Sequence, residues 1–187
     1  MSDPDRPALA AILVQLRGRV DAHFAAAQAR TPEAFACRAG CDSCCHHRFG
    51  VYAAEAEPIR RALADLSVRT PVLRNRIREQ ADDPAHQHHC ALLVDGACAV
   101  YAERPMICRS HGLPVAVADP APRVDHCPLN FTAGPPPRES VLRLDAVDQP
   151  LAVLASLWDR AGGEGDRSPV RVDLADLARE PDSPKDG

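Results

Sequence analysis

Nine residues constrain this chain more than any others: Cys37-Arg-Ala-Gly-Cys-Asp-Ser-Cys-Cys45 holds four of its eight cysteines. Thiols at that density point to a metal. Cys41 and Cys44 have two residues between them, the separation at which a tight turn aims two thiolates at one ion. Gly40 supplies the backbone freedom that such a turn needs. The other four, Cys90, Cys98, Cys108 and Cys127, fall in a Pro-rich segment downstream. A centre drawing on both groups closes a long loop, which makes ligation part of folding.

Adjacent Cys44 and Cys45 are the irregular feature. Neighbouring side chains diverge by about 100° in a helix and about 180° in a strand, so these two are expected to face apart, with one of them serving a different centre or Cys45 packing as a small buried hydrophobe. The eight thiols divide into two four-thiolate sites, or into one four-cysteine cluster with spare thiols. Four thiolates around zinc carry net negative charge, as does a 4Fe-4S cluster, so Arg38, Arg48, Arg104 and Arg109 are candidate charge and hydrogen-bond partners around the centre. Their alternative is a plain surface role. His46, His47, His86, His88, His89, His111 and His126 adjoin cysteines and are either substitute donors or loop residues.

Composition fits a fold that leans on its site. Apolar residues make up 45% of the 187 and aromatics 4%, while eighteen prolines and ten glycines imply much irregular backbone of the kind a bound metal holds in place. A formal charge of −4 creates no positive field, which argues against nucleic acid and anionic lipid as partners. Met1 to Asp5 lacks the basic start and apolar run of a signal peptide, and no window approaches a membrane span. The expectation is a cytoplasmic protein, where thiols stay reduced and serve as ligands or redox centres rather than as disulfides.

Between the cysteines the pattern is mainly helical. Leu9, Ile12, Leu13, Leu16, Val20, Phe24 and Ala27 form one helical face, with Asp3 or Asp5 as cap and an end near Arg30 ahead of Pro32. His23 lies beside that stripe as a packing residue. Phe49 to Tyr52 reads as extended. A second helix starts near Glu55 if Pro58 lies in its first turn, with Ile59, Ala62, Leu63 and Leu66 inward. Thr70 caps a third with Pro71 first, where Val72, Leu73, Ile77 and Gln80 share a face and Arg74, Arg76 and Arg78 form a solvated one.

Asp95-Gly96 between two apolar arms predicts a two-residue hairpin turn; in that register Cys98 lies across from Leu93 and Cys90 across from Tyr101, on opposite faces, so either a bulge or odd-length loop shifts the register or the two thiolates serve different metals. Pro105 opens a short helix carrying Cys108, followed by a proline-rich loop to Cys127. Val141, Leu142 and Leu144 suggest a strand, Asp148 to Gly162 a covering helix, and Asp173 the cap of a last turn.

Together, Cys37-x₃-Cys41-x₂-Cys44-Cys45, Cys90, Cys98-x₂-Tyr101-x₂-Arg104-Pro105-x₂-Cys108-Arg109 and Cys127 resemble a bacterial cysteine-cluster family described as zinc- or iron-chelating. Cys37 departs from the pattern, standing three residues from Cys41 where many relatives have two. Flagellin lysine methylases carry a similar cysteine pattern with an iron–sulfur cluster. The resemblance therefore implies zinc or iron as cofactor and admits, as an alternative, a metal-dependent enzyme modifying a protein side chain in a lysine N-methylase-like way. No Gly-rich strand-to-helix turn for a nucleotide-containing methyl donor accompanies it.

The expected molecule is mainly α with a small β-hairpin, a single irregular domain organised around a cysteine metal site. An amphipathic helix spans 1–36, a metal-binding core 37–130, a helical cover 131–178 and a disordered tail 179–187. The metal set is Cys37, Cys41, Cys44, Cys45, Cys90, Cys98, Cys108 and Cys127, with a structural, redox or metal-handling role.

Overall fold

A computed structural model describes residues 5–118, 120–163 and 168–182. In chain order the elements are α1 (Arg6–Arg30), β1 (Gly50–Tyr52), α2 (Ala53–Arg69), α3 (Pro71–Asp82), β2 (Leu93–Val94), β3 (Ala97–Cys98), α4 (Met106–Ser110), β4 (Val115–Val117), β5 (Arg123–Asp125), β6 (Leu142–Arg143), α5 (Asp145–Ala161), β7 (Arg171–Asp173) and α6 (Leu174–Arg179). The fold is mainly α with small β parts. Its chain divides into two compact units, the first from Met1–Arg38 with Met106–Arg167 and the second from Ala39–Pro105 with Ser168–Gly187.

The first unit is built on α1. Leu9, Leu13, Leu16, Val20 and Ala27 are buried at three- and four-residue spacing, each large apolar side chain contributing about 1.5–3 kcal/mol when removed from water. They pack on α5 and α4. Ile12 falls off this stripe and is exposed. The carboxylate of Asp5 accepts from the Ala8 amide at 2.9 Å, and the helix stops one residue before Pro32. His23 packs as expected, its Nε2 at 3.1 Å from the Ser140 carbonyl. The stretch read as a proline-rich loop instead contains an antiparallel pair, β4 with β5, and β6 joins β4 in parallel.

The second unit closes around Val51, Ile59, Leu63, Ile77, Leu92 and Leu177, with β1 paired antiparallel to β7 and α2, α3 and α6 packed together. Here α2 begins at Ala53, so Pro58 is its sixth residue rather than a first-turn one. The strand β1 runs straight into the helix at Tyr52, and Pro58 forgoes the hydrogen bond to the Ala54 carbonyl. The same arrangement recurs at Pro150, because α5 starts at Asp145 rather than Asp148. Thr70 occupies the cap position of α3 but does not cap it; its hydroxyl lies 3.5 Å from the Leu66 carbonyl.

The arginine run on α3 departs most from expectation. Arg74 is buried, not solvated: its guanidinium donates to Asp182 at 2.8 Å, to the Ala178 carbonyl at 2.7 Å and to the Glu180 carbonyl at 2.8 Å. The inward face is Arg74, Ile77 and Ala81, while Val72 is exposed. Arg78 also reaches Asp182, at 2.5 Å, and Arg60 holds Glu180 with two hydrogen bonds of 2.6 and 2.9 Å. Of the tail expected to be disordered, 180 and 182 are therefore held by α2 and α3, and 183–187 lie outside the described residues.

Candidate metal centre

Five thiols belong to the second unit, and four of them share one electrostatic neighbourhood. Ser43–Cys45 forms a single 3-10 turn, set by the Cys45 amide bonding to the Asp42 carbonyl at 2.7 Å. The Cys90 amide then bonds to the Cys45 carbonyl at 2.8 Å, which ties the two sequence groups of cysteines together. Cys44 and Cys45 do not face apart as expected. Hydrogen bonding from the Cys45 thiol holds Cys44 as a thiolate, pulling its pKa down to about 6. The same bond, with burial and the charges of Cys44, Cys90 and Cys98, pushes Cys45 strongly up.

The hairpin forms with its predicted turn, Asp95 and Gly96 having φ of 52° and 75°, and Cys98 stands across from Leu93. The ladder ends before Tyr101, which starts a 3-10 turn, while Cys90 sits in a turn of its own with its carbonyl accepting from the Leu93 amide at 3.0 Å. The two thiols therefore do not take opposite faces of one ribbon. Burial raises Cys90 to about 11, and Cys98 and Cys44 add to the rise; burial likewise raises Cys98, against the pull of Arg104. Cys41 is exposed.

The three remaining thiols lie in the first unit and are held by hydrogen bonds. Cys37 Sγ accepts from Asn130 Nδ2 at 3.4 Å, and the Cys37 carbonyl accepts from Gln28 at 3.2 Å. Asn130 is fully buried, and its amide also donates to the Gly112 carbonyl at 2.7 Å and accepts from the Ala36 amide at 2.8 Å. Its own backbone N–H bonds to the Cys127 carbonyl at 2.9 Å. One residue, through its side chain and its backbone N–H, thus joins the segments that carry Cys37, Cys108 and Cys127. Gly112 is required here, since an added Cβ would stand 2.6 Å from Cys37 Sγ at a φ of +97°. Cys108 lies on α4, half-buried.

Of the candidate arginines, Arg104 lies within electrostatic reach of Cys98 and stacks over the Tyr101 ring at 4.2 Å. Arg109 is buried and ion-paired with Asp21 of α1, and Arg48 pairs with Asp173 at 3.2 Å. Among the histidines, His46 and His89 bring their rings to 4.7 Å, and His126 packs edge-on against Phe131 at 5.6 Å. Asn130 and Gly112 escaped the sequence reading. An asparagine beyond the last cysteine carries no spacing signal, although Gly112 could have been marked by its place just after Cys108-Arg-Ser-His.

None of the eight cysteines is in a disulfide. Among the described residues, no three Cys, His, Asp or Glu side chains converge tightly enough to hold an ion in this conformation. The donor set nevertheless suits a soft cation: Cys44, Cys45, Cys90 and Cys98 are partly or wholly buried thiols, and the charge of neighbouring sulfur adds to the rise of Cys45, Cys90 and Cys98. Among the described residues no helix is long and apolar enough to cross a membrane.

Residues 36–127 match the family model "CxxCxxCC: Putative zinc- or iron-chelating domain", a stretch that contains all eight cysteines. No curated protein and no solved structure matches the chain.

Proposed function

We propose that the chain is a cytoplasmic protein that holds zinc or an iron–sulfur centre through thiolates drawn from Cys37, Cys41, Cys44, Cys45, Cys90, Cys98, Cys108 and Cys127. The observation that carries this reading is the grouping of Cys44, Cys45, Cys90 and Cys98 within mutual electrostatic reach in the second unit. Three of the four are held protonated, Cys45 chiefly by its hydrogen bond to Cys44 and Cys90 and Cys98 chiefly by burial, with the charge of neighbouring sulfur adding its opposition to a second thiolate. A bound metal removes that opposition and deprotonates the ligands outright. The family model, covering this stretch and naming zinc or iron, supports the same conclusion.

Cys44 is the entry ligand, already a thiolate at neutral pH, and Arg104 screens the negative charge at Cys98. Zinc would serve the fold structurally, whereas an iron–sulfur centre would add one-electron redox chemistry. A metal-handling role uses the same ligands.

The test is anaerobic purification followed by elemental analysis and visible absorption. Stoichiometric iron with broad brown absorption identifies a cluster, and stoichiometric zinc in colourless protein identifies a tetrathiolate-type site. Cys44→Ser is expected to lose at least tenfold in metal affinity; wild-type metal content in that variant, or none in the native protein, sinks the reading.

A further inference from the structure

The three-stranded sheet of the first unit ends on an open edge. Among the described residues β5 pairs with β4 alone, and Arg123, Val124 and Asp125 are all exposed, Val124 with 48% of its surface accessible. The direction of the backbone groups follows from the pairing on the far side of β4. Leu142 donates its amide to the Pro114 carbonyl at 2.8 Å, so Pro114 and Ala116 turn their backbone groups toward β6, and Val115 and Val117 turn theirs toward β5. Val115 and Val117 stand opposite Asp125 and Arg123. The N–H and C=O of Val124 therefore point away from β4, where no further strand lies among the described residues.

This edge is complementary to itself. Turned antiparallel about Val124, a second copy of Arg123-Val124-Asp125 sets Val124 against Val124, Arg123 against Asp125 and Asp125 against Arg123. The two valines exchange two hydrogen bonds, N–H to C=O each way. Their side chains meet on one face and the two opposite-charge pairs on the other. Neighbouring registers fail. A shift of two residues one way puts Arg123 opposite Arg123 and Val124 opposite Pro122, which has no N–H to donate. The opposite shift puts Asp125 opposite Asp125 and Val124 opposite His126, whose N–H already donates to Asp125 Oδ1 at 2.9 Å. Pro122 and Pro128 are ordinary protection of a strand edge; they explain its short length but not the order of charge along it.

We propose that β5 is an interface with a second copy of this chain, paired edge to edge across a two-fold axis so that the two three-stranded sheets become one. Each copy supplies both members of the charge pattern, so the contact closes on itself and does not propagate. It is short and surface-charged, which makes the dimer weak and sensitive to salt.

Sedimentation velocity of the full-length protein between about 1 µM and about 1 mM tests this, under reductant so that no disulfide links the copies. The wild type is expected to pass from monomer to dimer over that range, and less completely at high salt. Arg123→Asp and Asp125→Arg each place two like-charge pairs in the interface, and each should weaken dimerisation about tenfold or more. The double variant restores opposite charges and should recover the wild-type dissociation constant to within about threefold. Val124→Pro removes the outward N–H, a change that an edge strand tolerates, and should give a monomer with unchanged helical circular dichroism. A protein that stays monomeric throughout overturns the proposal and leaves the edge to an extended peptide of another protein. A dimer indifferent to both single reversals, or a double variant that recovers nothing, also overturns it, because the copies then meet on another face.

Discussion

The cysteines of the two units have different neighbours. In the second, Cys44, Cys45, Cys90 and Cys98 feel chiefly one another, and their protonation is set by burial and by the charge of nearby sulfur. In the first, Cys37 and Cys127 are tied by amide hydrogen bonds to Asn130, and a glycine makes room for the sulfur of Cys37. Burial and a neighbouring thiolate oppose ionising more than one of these crowded thiols, an opposition that a bound cation would remove. Hydrogen-bonded thiols are held whether or not a metal is present. The difference separates thiols whose near neighbours are other thiols from a thiol that the fold holds by a buried amide.

The largest expected effect lies in the second unit. Arg74→Ala leaves the Ala178 and Glu180 carbonyls and Asp182 without their buried donor, at a cost of about 3 kcal/mol. Urea unfolding measures the loss, and hydrogen exchange should place it in α3 and α6 before α1. Equal deprotection of α1 would mean that the two units do not unfold separately. Next is Gly112→Ala in the first unit, which forces a Cβ against Cys37 Sγ in a left-handed backbone and costs about 1–3 kcal/mol. Faster alkylation of Cys37, followed by peptide mass analysis, is the specific sign; an unchanged rate would mean that the sulfur is not held in advance.

The smallest effect is a pH dependence. Desolvation opposes the charge of Asp182, but hydrogen bonds from Arg74 and Arg78 outweigh it, so its pKa in the fold lies below the ordinary 3.8. Its contribution is complete above 3.8 and is lost as pH falls through the lower folded value. Asp182→Asn should flatten the urea midpoint against pH in that acid range, and an unaltered slope would remove Asp182 from the clamp.

Much of the helical layout could be read from the chain, because α1, α3 and α6 carry local signals: an aspartate cap, Pro71 at a first position, Asp173 before an apolar pair. Asp95-Gly96 likewise dictates its own turn. What escaped depends on partners far along the polymer. Arg74 sits three and seven residues from Ile77 and Ala81, on the face that turns inward, but an arginine counts as polar until the carbonyls beyond Leu177 are known. Asn130 is decisive only because Ala36 and Gly112 come to it. The β4–β5 pair is short and flanked by prolines, and β5 is exposed throughout, so no alternation marks it. The site was legible as a set of ligands; which thiols group together was not, since that follows from the division into units.

That division has a consequence for synthesis. The last cysteine, Cys127, is translated before any of β7 or α6, and β1 has no partner until Arg171–Asp173 is made. At about 5–20 residues per second, the ribosome takes roughly 2–9 s to cover that interval. For those seconds every cysteine has been made while residues 168–187 of the second unit are still unwritten, so the order of translation delivers the ligands first and the clasp last.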